Sequence, residues 1–403
     1  MKYFSHLASA AGLINLYKGE IPFHHFIRNY FREHRKFGSS DRRNIGQLCY
    51  SFYRLGRALA HLPIQERILL GLFLCSTSPN EILENLKPEW NPLAGKTLDE
   101  KLRLLAVDPA ELSAIFPFPH EMSAGIDARE FAVSHLIQPD LFIRIRPGKE
   151  DRVREKLRKA GVDFTVHTDS CYSLPNSTGV DKLISLNEEA VVQDFSSQLT
   201  GEFLFALRDQ WKGGKPRVWD ACSGSGGKSI MAHDILGEMD LDVSDLRPAI
   251  LNNLKKRFAI AGIRNYHSFI ADLSINSSRM SEPFHHAKPV ASKSNGGPYD
   301  LVIIDAPCSG SGTWARTPEQ LSFFGEEQIH SYHSLQKKIV SNVIPNIKKG
   351  GFLLYITCSV YKKENESIVD FLMQECSLHL QRSELISGYR KKADTMFAAI
   401  FSI

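Results

Sequence analysis

Apolar residues in the first part of the chain recur at helical spacing. Phe23, Phe26, Ile27, Tyr30 and Phe31 mark one face. Ile45, Leu48, Cys49, Phe52, Tyr53 and Leu55 mark a second, and the run from Ile64 to Leu74 a third. This period predicts amphipathic helices, so residues 1–125 read as a helical domain. Ser39-Ser40-Asp41 supplies N-cap chemistry for the second helix. Phe116-Pro117-Phe118-Pro119 breaks the pattern, and helix-like residues resume up to Ile137. Leu141 to Arg146 then alternates like a strand, and Pro147-Gly148 turns it. A basic helix is expected from about Glu150 to Ala160, with a second strand from Val162 to His167. Residues 126–190 therefore read as a small α+β module.

From Val191 the pattern changes again. Short apolar runs at Arg217–Asp220, Asp240–Val243, His267–Ile270, Tyr299–Ile304 and Gly351–Thr357 alternate with helical stretches, the longest from Gln328 to Ile347. Alternation of this kind predicts a doubly wound α/β domain over residues 191–403. Ser277 to Pro298, rich in Ser, His, Lys and Gly, reads as a surface excursion.

Composition changes this picture little. A hydrophobic content of 43% and a charged content of 23% suit a globular protein of 403 residues with more than one core. No apolar stretch has the length of a membrane span, and the start lacks a secretory pattern, so a cytoplasmic protein is expected. The seven cysteines are widely spaced and form no CxxC, which supports neither a metal site nor a disulfide framework. A net charge of +4 permits a polyanionic partner without requiring one.

Chemistry enters at the strand ends, where open α/β sheets bind ligands. Two thiols arrive there: Cys308 in Asp305-Ala306-Pro307-Cys308-Ser309-Gly310 and Cys358 in Thr357-Cys358-Ser359. A glycine loop, Cys222-Ser223-Gly224-Ser225-Gly226-Gly227-Lys228, joins a strand to a helix. It fails both the P-loop and the dinucleotide patterns, because Cys222 and Ser229 stand where those need glycine. Asp242, about twenty residues on, is an acid suited to ribose hydroxyls. Loop and acid together describe a nucleoside cofactor without a pyrophosphate, and S-adenosylmethionine (SAM) fits. Asp272 has two readings, an adenine contact or a helix N-cap. Within a SAM domain, two thiols suggest pyrimidine chemistry. Thiolate addition at carbon 6 makes carbon 5 nucleophilic enough to take a methyl group.

At this point the chain resembles the RsmB-like Nop/Sun family of RNA (cytosine-5)-methyltransferases. The matching segments occur in order: Val192 to Gln198, Cys222 to Ser229, Leu241 to Ser244, Asp305 to Gly310 and Thr357 to Ser359, with Glu364-Asn365-Glu366 opening a helix as in the family. They cover residues 135–403. The family loop usually reads Cys-Ala-Ala-Pro-Gly-Gly-Lys-Thr, from which Ser223-Gly224-Ser225 departs. The resemblance implies a Rossmann-like class I methyltransferase domain with a mixed, mostly parallel seven-stranded sheet, and a NusB-type helical domain before it. It implies Cys358 as nucleophile, Cys308 in product release and Asp305 at the cytosine edge. Residues 222–228, Asp242, Arg247, Asp272 and Asp305 would hold SAM. Arg316 matches a basic position assigned to RNA.

The implied partner is RNA, rRNA ahead of tRNA, bound by a monomer. Arg144, Arg146 and Arg152 of the basic module are expected to hold its backbone, with the arginine-rich helices between Arg28 and Arg57 as the other candidate surface; each has a solvated-face reading beside it. A catalytically silent SAM-fold RNA-binding or assembly factor is the competing hypothesis, and amino-group methylation is another. Retention of both cysteines and Asp305 argues against the first, and Asp305-Ala306-Pro307-Cys308 in place of Asn/Asp-Pro-Pro-Tyr/Phe argues against the second.

Overall fold

The helical period of the first segment is realised as packing. Phe23, Ile27 and Phe31 are the buried face of the helix Phe23–Glu33, and Ile45, Leu48, Cys49 and Tyr53 belong to the buried face of Ser39–Arg54. The helix Ile64–Cys75 is apolar nearly all round, and Arg67 to Leu74 are all buried, as expected for a central helix. Asp41 does not open its helix as the N-cap. It is the third helical residue, and its carboxylate accepts the Gly38 N–H at 3.0 Å.

The computed structural model describes residues 2–211, 214–275 and 298–403; the excursion expected from Ser277 to Pro298 lies, but for its last residue, outside them. The chain divides into two compact units, Met1–Gln138 with Thr313–Glu326, and Pro139–Gly312 with Glu327–Ile403. The helical unit thus runs past residue 125 and takes in a distant segment. Aromatic packing explains this: Phe116 lies 4.8 Å from Phe131 and 5.4 Å from Trp314, which is almost fully buried. Arg54 ties the same pieces together by donating to the carbonyls of His135 at 2.7 Å and Ala315 at 3.1 Å.

The second unit opens with β1 (Leu141–Ile145), β2 (Thr165–Thr168), β3 (Cys171–Leu174) and β4 (Ala190–Val192), an antiparallel sheet in the order β2-β3-β1-β4. The sequence pattern marks only β1 and part of β2. β3 is four residues long and buried throughout, so it has no alternation to read.

The main sheet comprises β5 (Arg217–Asp220), β6 (Asp240–Asp245), β7 (Tyr266–Ile270), β8 (Tyr299–Asp305), β9 (Ile347–Thr357), β10 (His379–Ser387) and β11 (Thr395–Ser402). Its order is β10-β11-β9-β8-β5-β6-β7. The run from β9 to β7 is parallel, and β11 is antiparallel to both its neighbours. Side-chain alternation gives the sheet two cores. Val218, Leu301, Ile303 and Leu354 pack against Ile230, Leu254 and Phe258 on one face. Val302, Ile304, Leu353 and Tyr355 pack against Val340, Ile368 and Leu372 on the other. This is the Rossmann-like methyltransferase sheet expected. Strand order reverses between β5 and β8, which opens a crevice at their carboxyl ends. No helix among the described residues is long and apolar enough to cross a membrane.

Candidate active site

The loops after β5, β8 and β9 meet at that crevice. Asp305 ends β8 in register with Ile356 of β9, so the segments following both strands emerge together. They bring the Cys308 and Cys358 Sγ atoms to 3.3 Å, with both thiols free and partly accessible. Gly312 allows this approach: its N–H donates to the Cys358 carbonyl at 2.9 Å, and a side chain there would collide with the Thr395 carbonyl. The adjoining Cys358 thiol and burial push the Cys308 thiol well above the usual range.

Asp305 is one-third exposed, and Lys228 Nζ lies 3.4 Å from it. Lys228 is itself placed by Ser197 Oγ at 2.6 Å, within the segment Val192 to Gln198. The glycine loop turns at Gly226, where φ is +84° and an added Cβ would lie 2.6 Å from the Phe258 ring. The Gly224 N–H donates to Asp245, and Arg257 donates to the Ser225 carbonyl at 2.9 Å. Asp220, buried under the loop, accepts from Ser229 Oγ at 2.5 Å, while its second oxygen has no hydrogen-bond partner among the described residues. Burial pushes its carboxyl up to about 7, with the nearby Asp305 adding to the effect. Burial also raises the Cys222 thiol.

Several predicted residues stand elsewhere. Asp242 is in the body of β6 rather than at its end. Its carboxylate is engaged by Tyr299 at 2.6 Å and Arg217 at 3.2 Å, which leaves it a structural acid. The acid at the carboxyl end of β6 is Asp245, which accepts from Gly224 at 3.1 Å and from Arg247 Nε at 3.0 Å. Burial alone would raise its carboxyl, but the Arg247 and Gly224 bonds hold it below the usual carboxylate range. Arg247 therefore orients Asp245. Asp272 accepts from Ser274 N at 2.9 Å and Ser274 Oγ at 2.6 Å, which closes a local turn.

The arginines of the basic module are likewise committed. Arg144 and Arg146 reach Asp234 at 2.7 and 2.8 Å, with all three side chains largely buried, and Arg152 pairs with Glu189 at 2.6 Å. At Arg144 and Arg146 burial and a fixed acid replace the expected phosphate contact, while the Arg152 side chain stays largely exposed. Arg316 lies in the segment that belongs to the helical unit, in a turn where its N–H donates to the Thr313 carbonyl at 2.9 Å.

Paired thiols at adjoining strand ends, above a nucleoside-type glycine loop, form one constellation, and the sequence around it decides the family. Residues 212–398 match the family model described as 16S rRNA methyltransferase RsmB/F. Over those residues the chain is similar to this family. A Coxiella burnetii relative, a probable ribosomal RNA small subunit methyltransferase B, is 24% identical over 395 residues, covering 86% of each chain. The 26S rRNA (cytosine-C(5))-methyltransferase nsun-1 of Caenorhabditis elegans is 28% identical over 194 residues, 45% of this chain and 26% of its own. Among solved structures, NSun6 from Pyrococcus horikoshii with SFG shares the fold, with a TM-score of 0.56 at 12% identity over 68% of this chain and 95% of that one.

Against this family frame, the residue the sequence reading missed is Asp245. The signal was present: Leu241 to Asp245 carries two acids, and only the full length of β6 tells which one reaches the edge.

Proposed function

We propose that this chain methylates carbon 5 of a cytosine in ribosomal RNA through a covalent adduct at carbon 6. The observation that carries the reading is the Cys308–Cys358 pair beside Asp305 at the end of β8 and β9. Cys358 is the nucleophile: its sulfur bonds to carbon 6, and the double-bond electron pair moves to carbon 5. Asp305 engages the amino edge of the base and favours that shift of charge. After methylation a base, such as a water in the open cleft, takes the carbon-5 proton; the C–H pair restores the double bond and the Cys358 sulfur leaves with the C–S pair. Cys308, held protonated by burial and by its neighbour, assists that release.

SAM is the methyl donor, and it supplies an electrophilic methyl group. The residues fit such a cofactor. The loop from Ser223 to Lys228 leaves room for close backbone approach, Asp245 offers carboxylate oxygens to ribose hydroxyls, and the unpartnered oxygen of Asp220 suits an ammonium group. A monomeric state and a cytoplasmic location belong to the same proposal, as does rRNA rather than tRNA.

Cys358→Ala is expected to abolish methyl transfer, with SAM affinity changed by no more than a few fold. Cys308→Ala is expected to trap a protein–RNA adduct that survives denaturing gels. Turnover by Cys358→Ala, or trapping by it instead of Cys308→Ala, overturns the assignment of roles. Bisulfite sequencing of rRNA from a strain lacking the gene should show one cytosine losing protection. Full protection at every rRNA site would rule out that substrate.

A further inference from the structure

The two cysteine segments are joined by a third element that the mechanism above does not use. Glu364 is fully buried in the turn Lys362–Glu364, just before the helix Glu366–Gln374. One of its carboxylate oxygens accepts the backbone N–H of Ser309, the residue after Cys308, at 2.8 Å. The other accepts the hydroxyl of Ser359, the residue after Cys358, at 2.6 Å. Gln336, from the helix Glu327–Val343, donates to the Ser309-side oxygen at 3.1 Å and to the Pro307 carbonyl at 3.0 Å. Next to Glu364, Asn365 accepts from Thr357 Oγ1 at 2.6 Å and donates to the Ser359 carbonyl at 2.9 Å.

A buried carboxylate is costly unless its lone pairs are filled, and here three donors fill them. Two of those donors belong to the residues that follow the two thiols. The acid therefore holds the two segments together beside the direct Ser309–Ser359 and Ser311–Ser359 hydroxyl contacts, both at 3.2 Å. We infer that Glu364 is a positioning residue for the thiol pair, setting their spacing through Ser309 and Ser359. The titratable groups packed around it are the two thiols themselves, Tyr332 from the helix Glu327–Val343 and Tyr355 from β9. The Lys363 ammonium lies against His330, 3.1 Å away, and His333 Nδ1 lies against the Lys363 carbonyl. Burial pushes the Glu364 carboxyl up, and Glu364 in turn adds to the Cys358 contact and burial that raise the Cys308 thiol.

The inference rests on Cys308 and Cys358 being the reacting thiols, and its test has a readout that needs no RNA. Glu364→Gln keeps the shape and removes the charge. Alkylation of each cysteine by iodoacetamide would be followed by mass spectrometry across pH, alongside kcat and the SAM KM. The expected result is an alkylation profile moved to lower pH by about half a unit to one unit. With it, kcat should fall by about tenfold or more while the SAM KM stays within about twofold. If Glu364→Gln matches the wild type in both measurements, or raises KM with kcat unchanged, the clamp is overturned. If the wild type methylates no RNA yet the alkylation profile still shifts in Glu364→Gln, the proposed function has failed and the clamp stands. Ser359→Ala removes the hydroxyl that bonds Glu364, Ser309, Ser311 and the Tyr361 N–H but keeps the Glu364 carboxyl, which covers the case of an unfolded Glu364→Gln. It should lower kcat without moving the alkylation profile, and an unchanged kcat would again overturn the clamp.

Discussion

Two regions of this chain are rich in arginine, and the structure treats most of those arginines in opposite ways. In the small sheet module, Arg144 and Arg146 are buried on Asp234, Arg152 and Lys156 converge on the fully buried Glu189, and Arg154 bonds Tyr172. On the helical unit, Arg28, Arg32, Arg35, Arg42 and Arg43 are exposed. Arg28, Arg42 and Arg43 line an open groove with Ile27, Phe31 and Tyr50, and among the described residues no acid lines it. The difference lies in what folding brings alongside. Asp234 comes from the helix Gly227–Leu236, some ninety residues downstream, and a buried acid there turns two guanidiniums into internal struts. Charge density along a sequence therefore does not measure charge available to a partner.

Removing the buried acid should have the largest effect. Asp234→Ala leaves two buried guanidiniums without their carboxylate, and an unfolding free energy lower by about 3–5 kcal/mol is expected from denaturant titration. A loss below about 1 kcal/mol would mean that the module's arginines are not structural. Asp220 sharpens the contrast, because it is buried without a guanidinium. Its folded-state carboxyl is raised to about 7, so its contribution to stability is full below about pH 4 and is lost as pH rises toward 7. Asp220→Asn should flatten thermal stability between pH 5 and pH 8, and an unchanged slope would remove Asp220 as its source.

Reversal of the exposed set comes next in size. The variant Arg28→Glu, Arg42→Glu, Arg43→Glu should weaken RNA by roughly tenfold or more and reduce the log–log salt slope by about 2. Thermal stability and SAM affinity should stay at wild-type values. A salt slope equal to wild type would move the RNA surface off these helices. The smallest effect is expected at Arg152, whose side chain is largely exposed. Arg152→Ala should change stability by less than about 1 kcal/mol, since Lys156 still holds Glu189.

What the sequence revealed was local. Short apolar runs between helical stretches placed β5 to β9, and the residues just beyond β5, β8 and β9 were readable as site residues because strand ends in such sheets share an edge. What it hid was set by distant partners. Asp242 and Asp245 differ only in where β6 stops, and that is fixed by pairing with β5 and β7. Arg144 reads as basic until Asp234 is beside it. β9 reads as starting at Gly351, yet it runs from Ile347 through a register shift, with Gly350 at φ +77°. β11 is buried along nearly its whole length and offers no alternation to detect.

The segment Thr313–Glu326 has a consequence for how the protein comes into being. It fills the helical unit from far along the chain: Glu319 accepts the Phe23 N–H at 3.1 Å, Phe323 packs on Tyr17 at 5.1 Å, and Trp314 lies against Phe116. A ribosome delivers residues 1–138 early and this segment late. Domains that emerge first usually fold first. Here the first unit must wait, with part of its aromatic core open, until most of the catalytic unit has been translated. Order of synthesis and order of completion are thereby uncoupled, and residues 1–138 alone should behave as an unfinished domain with slack protection of its amides.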